Sequence, residues 1–80
     1  MKKISIAFEY ENLSEFDKAI DILKKLLTDN PKNETVIYEL AFCYNLKNDT
    51  ESSIDFFKAF LENHPYSYSA WYNLGAAYNR

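Results

Sequence analysis

Few side chains in this sequence could act as nucleophiles or metal ligands. The chain has one cysteine, Cys43, and one histidine, His64, which together cannot assemble a four-ligand zinc site. A single cysteine also excludes an internal disulfide and favours a reducing compartment, so we expect a cytoplasmic protein. With one glycine in the chain, a glycine-rich phosphate loop is excluded, and no nucleophile stands at a recognisable spacing from a base. We therefore expect no catalysis, no metal and no cofactor.

The cysteine and the histidine have simpler interpretations. Cys43 lies between Phe42 and Tyr44 with no nearby cation to activate a thiol, which predicts a small buried hydrophobic side chain. His64 directly precedes Pro65, and we expect it to interact with the terminal carbonyls of a helix rather than to titrate for a function.

Composition and charge narrow the fold and the partners. Hydrophobic residues make up 48% and aromatic residues 18% of the 80 residues, enough apolar surface to offset the entropy of ordering the chain. One glycine and two prolines are too few for the turns of an all-β fold, so we expect helices. The net charge of -3 provides no basic field for nucleic acid or an anionic membrane, and no segment reaches the roughly 20 apolar residues of a membrane helix. The expected partner is a protein or peptide.

A 34-residue period organises the chain. Pro31 recurs as Pro65, and each proline prevents the preceding helix from continuing. Apolar spacing and polar helix starts predict five helices over residues 3–11, 15–28, 34–46, 50–62 and 68–79. The residues predicted to cap helix N-termini are Ser14, Asn33, Asn48 and Ser67.

The third copy of the period carries a recognisable motif. Residues 71–78 read W-x2-L-G-x2-Y, with Trp71, Leu74, Gly75 and Tyr78 at the motif positions. Together with the period and the two prolines, this motif makes the chain resemble the tetratricopeptide repeat family. The resemblance implies an all-α superhelix of antiparallel helix pairs in one domain. Repeat 1 would cover residues 1–33, repeat 2 residues 34–67 and a partial repeat 3 residues 68–80.

The resemblance also implies where a partner binds. In the family, the first helix of each repeat lines a concave groove. Carried over, the groove would contain Ile4, Phe8, Asn12, Tyr38, Glu39, Phe42, Asn45, Ser69, Tyr72, Asn73 and Ala76. Phe8 and Phe42, one period apart beside Glu11 and Glu39, suit a peptide with apolar anchors and a basic residue. Equally, the rings could pack between neighbouring helices as core. The cationic pair with which some family members clamp a carboxylate is missing at the matching positions, so we expect no chaperone-tail adaptor.

The third repeat leaves a second possibility open. Trp71, Leu74 and Tyr78 keep side-chain types used inside an array, although no second helix of repeat 3 follows in these 80 residues. A structural or assembly role is the alternative function, in which this helix joins a longer array or self-associates as a homo-oligomer. The simpler alternative is that the three side chains pack back on the fourth helix.

Overall fold

The described part of the chain is built from helices connected by short loops. A computed structural model describes the backbone of residues 2–79 and the side chains of residues 5–79. Its elements are α1 (Lys2–Asn12), α2 (Phe16–Asp29), α3 (Glu34–Leu46), α4 (Thr50–Asn63) and α5 (Tyr68–Tyr78). Every predicted boundary lies within one residue of the observed one, and the predicted all-α fold is confirmed. None of the helices in residues 2–79 has the length and apolar character of a membrane span.

Two of the predicted caps begin helices as expected. The side chain of Asn33 accepts a hydrogen bond from the Val36 amide at 3.3 Å at the start of α3. Ser67, 34 residues later, does the same for the Ala70 amide at 3.3 Å at the start of α5. Each cap satisfies one of the amides that have no partner within the first turn of a helix.

The other two predicted caps are wrong by one residue. Ser14 and Asn48 adopt positive φ angles of 61° and 68°, so they end α1 and α3 instead of starting α2 and α4. The residues that follow them, Glu15 and Asp49, are the N-caps. Asp49 accepts from the Ser52 amide, whereas the side chain of Glu15 makes no capping bond.

The backbone around these two residues forms the same helix-ending motif twice. The Glu15 amide donates to the Tyr10 carbonyl at 2.8 Å, and the Asp49 amide donates to the Tyr44 carbonyl at 2.9 Å. Such six-to-one bonds around a left-handed residue are the Schellman motif, which satisfies the last carbonyls of a helix. The 34-residue period of the sequence is therefore repeated in the backbone hydrogen bonds.

Each helix packs against the next one along the chain, and two apolar clusters form the core. The first cluster joins α1, α2 and α3 and includes the fully buried Ala7 and Ala19. The second joins α3, α4 and α5 and includes Ala41 and Phe57. Small residues allow helices to approach closely, and Ser53 is fully buried on α4 as well. Because α3 contributes to both clusters, it is the central helix, packed against both α2 and α4, which in turn support α1 and α5.

Candidate functional site

Two side-chain contacts connect α1, α3 and α5 along one surface of the molecule. The carboxyl groups of Glu11 on α1 and Glu39 on α3 lie close enough to influence each other's ionisation. The Asn73 amide on α5 donates a hydrogen bond of 2.9 Å to the hydroxyl of Tyr38 on α3. We call this side of the three helices the first-helix surface. Three of the residues predicted to line a groove, Tyr38, Glu39 and Asn73, are thus brought together.

Tyr38 is held in place by core contacts as well as by Asn73. Its ring packs edge-on against Phe57 at 5.5 Å and against Phe60 at 5.2 Å, measured between ring centroids. The residue is therefore half-buried, with its ring against α4 and its hydroxyl bonded to α5. Such edge-to-face ring pairs stabilise a fixed orientation. Tyr38 combines the two alternatives that the sequence left open, because the same ring is partly core and partly surface.

The other predicted groove residues differ in their exposure. Asn12 and Tyr72 are exposed, and Phe8 is 38% exposed. Phe42 is half-buried, and no ring contact joins it to Phe8 among the described side chains. Asn45 is buried, at 6% exposure, so its side chain belongs to the interior. The surface available to a partner is therefore narrower than the helix pattern indicated.

An open pocket of about 400 Å³ lies where α3 meets the end of α4 and the start of α5. Two carboxyl groups, two rings and two hydroxyl groups line it, together with one imidazole. These belong to Glu34, Glu39, Tyr38, Phe60, Thr35, Ser69 and His64. Of this set, Tyr38, Glu39 and Ser69 were predicted from the sequence; the contributions of α4 were not. No pattern in the sequence relates the end of α4 to the start of α3, since the two are 30 residues apart.

His64 takes a different role from the predicted one. Its Nε2 contacts the carboxylate of Glu34, and its ring stacks on Phe60 with centroids 4.7 Å apart. The His64 amide donates to the Phe60 carbonyl at the end of α4 at 3.1 Å, but the side chain contacts a carboxylate rather than helix-terminal carbonyls. A carboxylate is the stronger partner for an imidazole, and the packing of α4 along α3 brings the end of α4 to Glu34 at the start of α3.

The carboxyl pair and the thiol beside it have raised pKa values. Burial, and after it the neighbouring carboxyl group of Glu39, together raise the pKa of Glu11 to about 7. Burial likewise raises the pKa of Glu39. The pKa of the Cys43 thiol is raised by its burial and by the charge of Glu11. Cys43 is fully buried, as predicted, and is held in its unreactive thiol form.

The three residues predicted for self-association lie on two different faces of α5. Leu74 is only 5% exposed and packs in the second core cluster with Phe57 and Leu61 of α4. Trp71 and Tyr78 are 53% and 57% exposed. The indole of Trp71 donates a hydrogen bond of 2.7 Å to the Pro65 carbonyl. Packing back on α4 therefore applies to Leu74, and the two rings remain at the surface.

No three His, Cys, Asp or Glu residues come together as metal ligands in the described part of the chain. What the first-helix surface presents is rings, carboxyl groups and amides at fixed positions. Such groups can recognise another chain by burying its apolar side chains and pairing with its charges.

Repeated helix hairpins that share one backbone hydrogen-bonding pattern define an α-helical repeat protein. The sequence matches the family described as Tetratricopeptide repeat over residues 13–78. The chain belongs to that family, whose domains generally mediate protein–protein interaction. A comparison with curated proteins gave no significant match.

Proposed function

We propose that this protein binds an extended or helical peptide segment of a partner protein on the first-helix surface. The observation that carries the proposal is the hydrogen bond of 2.9 Å from the Asn73 amide of α5 to the Tyr38 hydroxyl of α3, which holds these two first helices side by side. A surface whose side chains are already oriented loses less entropy when a partner binds. Phe8 of α1 and Tyr72 of α5, both predicted to line the groove, are exposed and available as apolar anchors.

The charges on this surface favour a partner segment with a basic residue. Neither α3 nor α5 contains Lys or Arg, and carboxyl groups of Glu34 and Glu39 line the 400 Å³ pocket beside the Tyr38 ring. A Lys or Arg side chain could place its stem against the rings and its charge near the carboxylates. The proposed ligand is therefore a segment with one or two apolar anchors and a cationic side chain.

A selection from random peptides tests the proposal and needs no candidate partner. Displayed dodecapeptides would be selected on the immobilised protein, and the affinities of the selected peptides measured by fluorescence anisotropy. We expect the selected sequences to combine aromatic or aliphatic residues with Lys or Arg. We also expect their affinity to fall as salt is raised, since the pocket charges are screened.

Two tyrosines provide a matched pair of variants for these peptides. Tyr72 is 66% exposed on the first-helix surface, whereas Tyr66 is 96% exposed in the loop between α4 and α5. Tyr72→Ser should weaken binding by about tenfold or more, as expected for loss of an anchor ring, and Tyr66→Ser should leave it within about twofold. Equal effects of the two variants would contradict the proposal. These variants are preferable to Tyr38→Ala with Phe42→Ala, which also removes the ring contacts of Tyr38 to Phe57 and Phe60.

A further inference from the structure

The pocket of about 400 Å³ beside Tyr38 has two different walls. One wall is the start of α3, where residues 34, 35, 38 and 39 have the spacing of neighbouring positions on one side of a helix. The other wall is the end of α4, where the rings of Phe60 and His64 stack with their centroids 4.7 Å apart. A volume of about 400 Å³ is near the lower end of the range for ligand pockets, so it suits one side chain of a partner rather than a whole segment.

Carboxyl groups in the pocket outnumber the groups that can oppose their charge. Glu34 and Glu39 both line it, and of the described residues around it only His64 can carry a positive charge. Lys32, the nearest lysine in sequence, lies in the loop before α3 and does not line the pocket. The carboxyl group of Glu11 next to Glu39 adds to the negative field. A cationic side chain of a partner would therefore be attracted to this pocket.

His64 orients Glu34 and leaves one of its carboxylate oxygens for a ligand. The imidazole Nε2 contacts Oε2 of Glu34, whereas Oε1 makes no hydrogen bond within the described part of the chain. The imidazole is itself held by its stack on Phe60. A carboxylate that already has a fixed orientation loses less entropy when it accepts a further donor. Glu34 can thus bind a ligand without giving up its contact with His64.

The groups around the pocket favour an arginine over a lysine. A guanidinium is flat and carries five N–H donors in its plane, so it can stack on a ring and donate at its edge at the same time. The pocket provides both kinds of partner. The rings belong to Tyr38, Phe60 and His64, and the acceptor oxygens to Glu34, Glu39, Thr35 and Ser69. A lysine ammonium is compact and strongly hydrated, and it cannot lie flat against a ring.

We propose that this pocket is an arginine subsite, in which the guanidinium of a partner arginine lies against the rings and donates to Glu34 and Glu39. The inference rests on the proposed function, because it names the cationic residue of the same partner segment. Tyr72, the proposed apolar anchor, is three residues after Ser69 and therefore about one turn of α5 from the pocket. The arginine of a bound segment should lie within about three residues of its apolar anchor, since an extended chain advances about 3.3 Å per residue.

Titration of the ¹⁵N-labelled protein with N-acetyl-arginine amide tests the subsite without a peptide. The backbone amide resonances of Thr35 and Ser69 should shift, with a dissociation constant of about 1–5 mM, as expected for a ligand of this size. N-acetyl-lysine amide should bind at least about threefold more weakly. The uncharged isostere N-acetyl-citrulline amide should bind at least about tenfold more weakly, because it cannot pair with the carboxylates.

Two glutamates provide a matched pair of variants. Glu34→Gln removes a carboxylate from the pocket and should weaken the binding of N-acetyl-arginine amide at least about threefold. Glu62→Gln removes the same charge from an exposed position near the end of α4 that does not line the pocket, and should leave the binding within about 1.5-fold. Circular dichroism checks that both variants are folded.

Peptides selected on the protein separate this inference from the proposed function. Replacing the arginine of a selected peptide by lysine should weaken binding to the wild type at least about fivefold, and binding to Glu34→Gln by no more than about twofold. Tyr72→Ser removes the apolar anchor and should weaken the arginine and the lysine forms of the peptide equally.

The two proposals fail in different ways. Selected peptides that need Tyr72 but bind equally well with arginine or lysine would overturn the arginine subsite and leave the proposed function standing. N-acetyl-arginine amide that binds in the pocket, while no peptide can be selected, would support the subsite and contradict the proposed function. The subsite is also overturned if about 20 mM N-acetyl-arginine amide shifts neither Thr35 nor Ser69, or if Glu34→Gln and Glu62→Gln have equal effects.

Discussion

The adjacent carboxyl groups of Glu11 and Glu39 should make the stability of this protein fall as the pH rises from 5 to 8. Burial and the neighbouring carboxyl raise the pKa of Glu11 to about 7 in the folded protein, against a usual value of 4.5. The folded protein therefore keeps a proton in a range where the unfolded chain has released it. The stabilisation is complete below pH 4.5 and is lost as the pH rises through 7.

The size of this effect follows from the pKa shift and from the exposure of the group. Each unit of pKa difference corresponds to about 1.4 kcal/mol, and a shift from 4.5 to about 7 sets an upper bound of roughly 3.4 kcal/mol. Glu11 is only half-buried, so water screens much of the repulsion and the bound must be reduced. We expect the free energy of unfolding to decrease by about 1–2 kcal/mol between pH 5 and pH 8.

Urea unfolding followed by circular dichroism at several pH values measures this decrease. Glu11→Gln removes the carboxyl group that titrates and should flatten most of the pH dependence of stability. Glu9→Gln removes an equal charge from an exposed position on the same helix. This variant should keep the pH dependence of the wild type. A wild-type stability that is constant or increases from pH 5 to 8 would contradict this prediction. So would a Glu11→Gln variant whose free energy of unfolding decreases as much as that of the wild type between pH 5 and pH 8.

Two further predictions concern the loop and the core. Ser14→Gly should raise the free energy of unfolding by about 0.5–1 kcal/mol, because the φ of 61° at Ser14 strains a residue with a Cβ. Asn48→Gly should raise the free energy of unfolding by less, since Asn tolerates this conformation better than Ser. A lower thermal stability of either variant would contradict the prediction. Ser53→Ala should be neutral or stabilising by up to about 1 kcal/mol, because the buried hydroxyl has no hydrogen-bond partner. Ser52→Ala, the control, should be destabilising because it removes the hydroxyl bonded to Asp49. A lower stability of Ser53→Ala in urea unfolding would contradict the prediction, because it would show that the Ser53 hydroxyl makes a stabilising hydrogen bond.

Much of the fold could be predicted because its signals are local. Pro31 and Pro65 end helices through their own ring geometry, and Asn33 and Ser67 cap the helices that follow. The caps at Ser14 and Asn48 were wrong because the loops there are short. A small polar residue between two helices suits both the left-handed end of one helix and the N-cap of the next. Only the backbone decides which of the two roles the residue takes.

The candidate site was less predictable because it depends on neighbours distant in sequence. The helical spacing of α3 correctly marked Tyr38 and Glu39, but it also marked Asn45, which is buried. Tyr38 and Asn45 are seven residues apart and lie on nearly the same side of α3, so their different burial depends on which neighbouring helices cover each turn. The contact of His64 with Glu34 has the same origin, because it joins the end of one helix to the start of another.

The contrast between Tyr44 and Tyr78 shows why a single repeat does not define the function of its residues. The two tyrosines occupy one position of the period, yet Tyr44 is core and Tyr78 is surface, because the Tyr44 ring stacks on Phe56 whereas the described contact of the Tyr78 ring is with the Lys58 ammonium group. In a repeat protein, stability comes from the interfaces between neighbouring units, so each helix that is added or left out reassigns positions between core and surface. The first-helix surface is retained under such changes, because the second helices support α1, α3 and α5 from behind.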